Sequence, residues 1–491
     1  MSAQTNPSRV DIEGISVSTE HFIGGERVSS PQTFEVRSPL DWDWKLADMA
    51  SGDANTANAA IGAAVEGFQV WSKMSPAERG KIMHNLADRI DENIEKLALI
   101  ECLDMAMLRE SLMLRVIPRA AKNFRAYADL AAEYEERVWD SNGTHNTVIR
   151  MPAGPAVIIT PWNAPFMLST WKCAPALAAG NSVILKPAEW SPLSLSMLAD
   201  WINDAGFPPG VFNIVQGYGS EFGPSLTGDK RVKRISFTGS PETAQHIGRA
   251  AAENIVPFTA ELGGKGAFMV FADSDLDDAA QKASNMFHDS GQVCLAGTRL
   301  LVEASVRDEF LNRFMECTEK QVPGDSRDPN TTLSPAIHPV HLEKIEGFVD
   351  RARAGGDNIL FGGSRWQEGK LWYEPTLIEP KSNDSEVVQN EIFGPVLTFQ
   401  TFADEAEAIE LSNSTVYGLS GIIYTGDATR AERVGRQVRA GTVWVNTFLI
   451  RDLSAPFGGI GISGIGREGG RFALEFHADL KTLQILDGTV S

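Results

Sequence analysis

No apolar run in this chain approaches the ~18 residues that a membrane-crossing helix needs, so no membrane span is expected. Cysteine is scarce. The 491 residues hold four, Cys102, Cys173, Cys294 and Cys317, widely spaced and without a CxxC pair. That spacing argues against a disulfide framework or a zinc site, and no metal is expected. Basic residues are outnumbered: 44 Lys and Arg face 64 Asp and Glu, for a net charge of -20. Nucleic acid is therefore not an expected partner, because phosphate contacts need clustered cations. The polar opening "MSAQTNPSRVDIEG" has no apolar signal core, and a cytoplasmic protein is expected. No repeat or low-complexity tract appears, and the first fourteen or so residues read as a loose tail.

What is present is length and rhythm. A chain of 491 residues exceeds one ordinary core, so two or three domains are expected. Residues 54–72, 76–105 and 118–137 have helical apolar spacing, the last with Pro118 at its first position. Short β-branched runs then recur at 156–160, 182–186, 212–216, 234–238 and 257–261, their starts 22 to 30 residues apart. Helical segments such as 192–205 and 241–252 separate them. This alternation predicts an α/β fold with a parallel sheet covered on both faces. A second block repeats it, with strands at 266–271, 299–303, "GIIYTG" and "GTVWVN" and helices from Leu276 and over 306–320. The tail "ADLKTLQIL" (478–486) reads as an isolated strand whose partner could lie in another subunit.

Several short strings fall where parallel sheets place ligands, at strand ends. "TPWNAPF" (160–166) offers Asn163 as an amide donor to an oxyanion, or an Asn-containing turn. "KPAEW" (186–190) offers Lys186 and Glu189 to a ribose diol, or a solvated ion pair. "SFTGSPETAQHIG" (236–248) ends a strand at Gly239 and caps a helix with Ser240, an arrangement that suits a pyrophosphate or an ordinary turn. "GYGSEFG" (217–223) is spaced GxGxxxG, a weak signal. Glu261 in "ELGGKG" ends an apolar strand, as a general base of raised pKa or as a surface strand end. Cys294 in "GQVCLAGTR" is a small buried residue or a nucleophile. "NEIFGPV" (390–396) and "FGGIGISGIGREGG" (457–470) complete the series. His288, six residues before Cys294, reads as a helix residue, and His338 with His341 lack further ligands in sequence.

Singly these strings are modest. In this order "PWNAPF", "KPAE", "FTGS", "ELGGK", "GQVC" and "EIFGPV" resemble the motif series of the NAD(P)-dependent aldehyde dehydrogenase superfamily, from "FIGGE" (22–26) to the last strand. The resemblance implies two parallel-sheet α/β domains plus a small β oligomerisation element. Residues 19–130 and 153–262 would bind NAD, 263–470 would be catalytic, and 131–152 with 478–491 would join subunits of a homodimer or homotetramer. It implies Cys294 as nucleophile, Asn163 and the Cys294 N–H as oxyanion donors, Glu261 as general base and Glu468 as a second proton relay. Thr160, Trp162, Lys186, Glu189, Gly219, Gly223, Phe237, Gly239, Ser240, Leu262, Glu391 and Phe393 would contact the cofactor. Glu189 would repel a 2′-phosphate and favour NAD over NADP. Glu261 favours hydrolysis over acyl transfer to coenzyme A. One departure is Ala244, where the family usually has glycine.

A finer expectation concerns the substrate. Arg119 falls in the predicted first turn of a helix, where the dipole disfavours a cation. Arg451 aligns with a tunnel position that is usually aromatic or apolar. The pair could hold a carboxylate, or Arg119 could pair with a helix Glu and Arg451 with Asp452. Ala164, Met167 and Trp171 would line the rest of the tunnel. "VIPRAAKNF" and "RDL…FGG…SGIGREGG" resemble the branch that oxidises muconic semialdehydes, which carry a distal carboxylate. The alternatives are a broad aromatic or aliphatic aldehyde dehydrogenase, a thiol esterase activity of the same cysteine, and a catalytically silent relative. The last is expected to have lost Cys294, Glu261 or Asn163, all of which are present.

Overall fold

The β-branched runs pair as a parallel core because both faces are apolar and helices cover them. In the computed structural model, which describes residues 8–486, the first sheet has eight strands. Its five central strands are parallel, in the spatial order Phe258–Glu261, Arg234–Thr238, Ala156–Ile159, Val183–Lys186 and Phe212–Ile214. The order reverses between Ala156–Ile159 and Arg234–Thr238. The crevice outside strand ends at such a reversal is where open α/β sheets bind ligands. The loops leaving these two strands carry "TPWNAPF" and "GS".

Short antiparallel strands close the edges of this sheet: Gly464–Ile465 on one side, His21–Ile23 and Glu26–Val28 on the other. Strand Phe258–Glu261 then leads, after five residues, into strand Ala267–Val270 of a second, seven-stranded sheet. Six of its strands are parallel, with Asn358–Phe361 antiparallel at one edge. "ELGGKG" is therefore the crossing between two sheets.

The structure departs from the sequence expectations in five places. The supposed loose tail contains a hairpin, Arg9–Ile12 with Ile15–Ser18, anchored by Arg9 to Asp200 at 2.7 Å. The helix expected over 76–105 is two, Pro76–Glu92 and Ile94–Met105, divided at Asn93, whose ψ of 19° leaves the helical region. Helix Ile117–Glu133 does not begin at Pro118 but continues from a wide π-type turn, Leu112–Val116. Arg119 is thus inside a longer helical run, so the helix-start argument for its partner does not apply. Strand Ala478–Leu486 finds its partner within the chain, antiparallel to Thr144–Pro152, which also pairs with Arg137–Ser141. The alternating block also missed the antiparallel pair Thr33–Ser38 and Asp41–Ala50. Residues 487–491 lie outside the described residues.

Close approach of backbone to backbone locks the first domain. Gly67, inside helix Ala54–Trp71, faces the Gly210–Val211 turn, and a Cβ there would lie 2.3 Å from the Gly210 carbonyl carbon. Gly67→Ala should destabilise the protein by about 1–3 kcal/mol through overpacking, read as a lowered thermal unfolding midpoint.

Candidate active site

The site lies where the two sheets meet. Glu261 ends its strand 4% exposed, and its carboxyl has no side-chain hydrogen-bond partner among the described residues, the Gly459 backbone being its nearest donor. Burial, then the charge of Glu468, holds its pKa well above the usual carboxylate range. The surface strand end considered from sequence is therefore not what is seen. Cys294 is half-buried in the loop before strand Arg299–Glu303. Burial, helped by the charges of Glu391 and Glu261, pushes its thiol up to about 12. Asn163 donates one amide proton to the carbonyl of Gln292 at 2.9 Å, two residues before Cys294. Its second amide proton stays available.

Two cavities of about 270 Å³ each converge here, and Asn163, Thr238, Glu261, Leu262 and Cys294 line both. The first is a tunnel. Every residue expected for catalysis or substrate lines it: Cys294, Glu261, Asn163, Glu468, Arg119, Ala164, Met167, Trp171 and Arg451. The guanidiniums of Arg119 and Arg451 lie 5.4 and 5.8 Å from the Trp171 ring. Neither forms an ion pair among the described residues. Arg119 donates to Asn123 at 3.2 Å, and the Asp452 carboxylate is taken up by Ser454. Burial, then the charge of Arg451, lowers Arg119 to about 10.

The second cavity holds Trp162, Gly239, Ser240, Leu262, Glu391 and Phe393. Glu391 accepts from the Gly264 N–H at 2.8 Å and is lifted by burial to about 7. Phe393 meets Trp162 edge-on at 5.4 Å, over a buried His341 that bonds the Phe393 carbonyl. Trp190 continues into a third cavity, of about 430 Å³, lined by Glu189 and Tyr218. Lys186 pairs with Glu189 at 2.8 Å, and a Cβ on Gly219 would lie 3.7 Å from the lysine nitrogen. Ser240 caps helix Pro241–Glu253, accepting from the Thr243 N–H at 3.3 Å.

Five expected cofactor residues line none of these cavities: Lys186 with its neighbour Gly219, and Thr160, Phe237 and Gly223. Thr160 is buried, its hydroxyl tied to Ser169 at 2.8 Å. Phe237 is buried beneath Gly239, where a Cβ would meet its ring at 2.4 Å. Gly223 is in open space within helix Gly219–Thr227. Ala244 points into the core beside Ile247, away from the cavities. His288 is not helical: its ψ of 152° begins a kink completed by Asp289 and Ser290 at φ of 52° and 55°.

Sequence reasoning missed Lys172, fully buried and ion-paired with Glu468. Trp171 adds a 2.7 Å hydrogen bond to the same carboxylate. A lone lysine in the apolar helix "TWKCAPALA" was the available signal. It also missed Arg115, which lines the tunnel one helical turn before Arg119. Lys172→Met should strand the buried Glu468 carboxylate and destabilise the protein by about 3–5 kcal/mol. Lys172→Met with Glu468→Gln should recover most of that loss in a thermal unfolding assay.

The sequence profile of the aldehyde dehydrogenase family matches residues 27–483. The 2-hydroxymuconic semialdehyde dehydrogenase of Pseudomonas sp. (strain CF600) is 40% identical over 480 residues, covering 94% of this chain and 98% of that protein. The 2-aminomuconic semialdehyde dehydrogenase of Danio rerio is 37% identical over 476 residues, covering 95% and 98%. An indole-3-acetaldehyde dehydrogenase of P. syringae, solved in complex with NAD+ and IAA, superposes with a TM-score of 0.94 at 35% identity, covering 96% and 98%. With a thiol, an amide and a buried carboxyl gathered from three segments and a family match over most of its length, the chain belongs to the aldehyde dehydrogenase family.

Proposed function

We propose that this protein oxidises an aldehyde bearing a distal carboxylate, of the muconic semialdehyde type, to the corresponding acid with NAD. The observation that carries the substrate class is the pair Arg119 and Arg451: two guanidiniums facing one indole, in the same cavity as Cys294, with no salt bridge to either among the described residues and Asp452 acting on Arg119 only at longer range. Like charges brought together in a half-buried site lose hydration unless an anion joins them. Arginine forks suit a carboxylate. The muconic semialdehyde relatives support the same reading. A broad aromatic or aliphatic preference is the second reading, favoured by the apolar walls of Met167, Leu168 and Phe457 and by the indole-3-acetaldehyde relative.

The cleft suits a dinucleotide. In this reading the Lys186–Glu189 pair would hold a ribose diol and Glu391 a second ribose. The helix start at Ser240 would take a pyrophosphate, and the Gly239 position admits no Cβ over the Phe237 ring. NAD bound there supplies the hydride acceptor. The residues do the rest. Deprotonated Cys294 adds to the aldehyde carbon, and the alkoxide oxygen takes the free amide proton of Asn163 and the Cys294 N–H as donors. Loss of hydride leaves a thioester on Cys294. Glu261 takes a proton from water, the hydroxide attacks the thioester, and the acid leaves as Cys294 regains its proton. Glu468, held by Lys172 and Trp171, is placed to accept a proton from the Glu261 side.

Residues 19–130 with 153–262 form the NAD-binding unit in this reading, and 263–470 the catalytic unit. The sheet of Arg137–Ser141, Thr144–Pro152 and Ala478–Leu486 presents exposed Trp139, Leu480 and Leu483, which suits a subunit contact in a homodimer or homotetramer. No helix among the described residues is long and apolar enough to cross a membrane.

Arg119→Ala and Arg451→Ala should each raise KM for an aldehyde with a distal carboxylate by about 10–100-fold, and change KM for a neutral aldehyde of equal length by less than about twofold. Equal effects on both substrates would remove the carboxylate from the assignment. Glu261 acts as a base only when ionised, and its raised pKa places that form toward alkaline pH. Steady-state NADH production should therefore rise with pH and level off. Glu261→Gln should keep a single-turnover burst of NADH while losing the later turnovers.

A further inference from the structure

Helix Ile94–Met105 carries two acids on one face, Glu101 and Asp104, three residues apart. Both are 0% exposed, and neither has a cationic partner among the described residues. Such groups are costly to bury without a use. Each spends one oxygen on a backbone N–H at the start of a different helix. Glu101 accepts from the Phe166 N–H at 3.3 Å, in the first turn of helix Pro165–Ala178. Asp104 accepts from the Leu193 N–H at 2.7 Å, the first residue of helix Leu193–Ala205. The second oxygen of Asp104 makes no hydrogen bond, and the Glu101 carboxyl has the Ser194 hydroxyl as its one other neighbouring donor.

The two helices cannot cap themselves. Their capping positions are Ala164 and Pro192, and neither side chain offers an acceptor. The first N–H groups of a helix have no partner of their own, and here they are buried, beyond the reach of water. Both helices follow loops of the site. The first is led by 160–164, with Asn163 one residue before the capping position. The second is led by 187–192, with Glu189 and Trp190.

We propose that Glu101 and Asp104 are positioning residues that cap these helices from a neighbouring helix, Glu101 fixing the Asn163 loop and Asp104 fixing the Glu189 loop. The capping helix ends at Ala106, with φ of 63°, and the chain passes directly to Met107 of the tunnel wall. One helix thus sets the oxyanion donor and the ribose contact together. Burial lifts Glu101 to about 8 and Asp104 well above its usual range. As neutral acids they cap through a carbonyl oxygen, which an amide reproduces.

The inference rests on the proposed roles of Asn163 and Glu189, and its test keeps the two apart. Purified full-length enzyme is assayed for NADH burst rate and for KM of NAD with one aldehyde. Glu101→Leu should slow the burst by about tenfold or more while leaving KM for NAD within about twofold, because a small misplacement of a donor acts on the transition state. Asp104→Leu should do the reverse, raising KM for NAD about fivefold or more with the burst at saturating NAD nearly unchanged. Glu101→Gln and Asp104→Asn, which keep the acceptor, should restore the respective parameter. The alanine variants should show the same split and serve where a leucine variant does not fold. A slowed burst together with a raised KM for NAD in the variants of both acids, or no rescue by the amides in folded protein, would overturn the proposal. Wild-type enzyme that makes no NADH from any aldehyde would instead overturn the assigned reaction.

Discussion

The site depends on how closely one stretch of backbone passes two others. Between the sheets, Gly263 runs so near Glu391 that a Cβ would lie 2.0 Å from a carboxylate oxygen. At Gly264 a Cβ would lie 2.7 Å from the Cys294 carbonyl. Only a chain without side chains there crosses from one sheet to the other in contact with both loops. Ser463 secures the crossing, donating to the Gly263 carbonyl at 2.7 Å and accepting from the Gly418 N–H at 2.9 Å, while its own carbonyl takes the Leu262 N–H at 2.9 Å. Glu261, the residue before this segment, is carried to the same cavities as Cys294 as a result.

Burial then sets the chemistry. The thiol and the carboxyl are both held toward their neutral forms by a low-dielectric pocket. A resting enzyme of this kind keeps its nucleophile from reacting with passing oxidants and electrophiles, since the thiolate is the reactive form. The two arginines bring the opposite character to the same tunnel. Arg119 lies over the Trp171 ring at 5.4 Å and Arg451 over the Phe457 ring at 3.7 Å, and the charge of Arg451 reaches the Cys294 thiol. Positive charge and a neutral thiol thus share one cavity.

Much of this was legible in the residues. The β-branched runs placed all five parallel strands of the first sheet, because strands buried on both faces carry continuous apolar sequence. The set Cys294, Glu261 and Asn163 was legible through the order of motifs that resembles the aldehyde dehydrogenase family; taken singly, each also fitted a small buried thiol, a strand end or a turn. The antiparallel hairpins at 9–18 and 33–50 were not. Their strands are half exposed and polar, so they carry no continuous apolar run. The wide turn at 112–116 was also hidden, since "LMLRV" fits an ordinary helix. Lys172 and Glu468, 296 residues apart, illustrate the general limit. A buried ion pair leaves each partner looking like an isolated oddity until the fold joins them.

That wide turn has a consequence for how such a pocket can change. A π turn takes about one residue more than an ordinary turn over the same sweep, so removing one residue between 112 and 116 would restore ordinary winding with the flanking helices still facing as they do. The change would fall on the turn itself, Arg115 included, while Arg119, beyond the joint, kept its place beside Trp171. A single codon lost at this joint is therefore enough to redraw one wall of the tunnel and leave the rest in place.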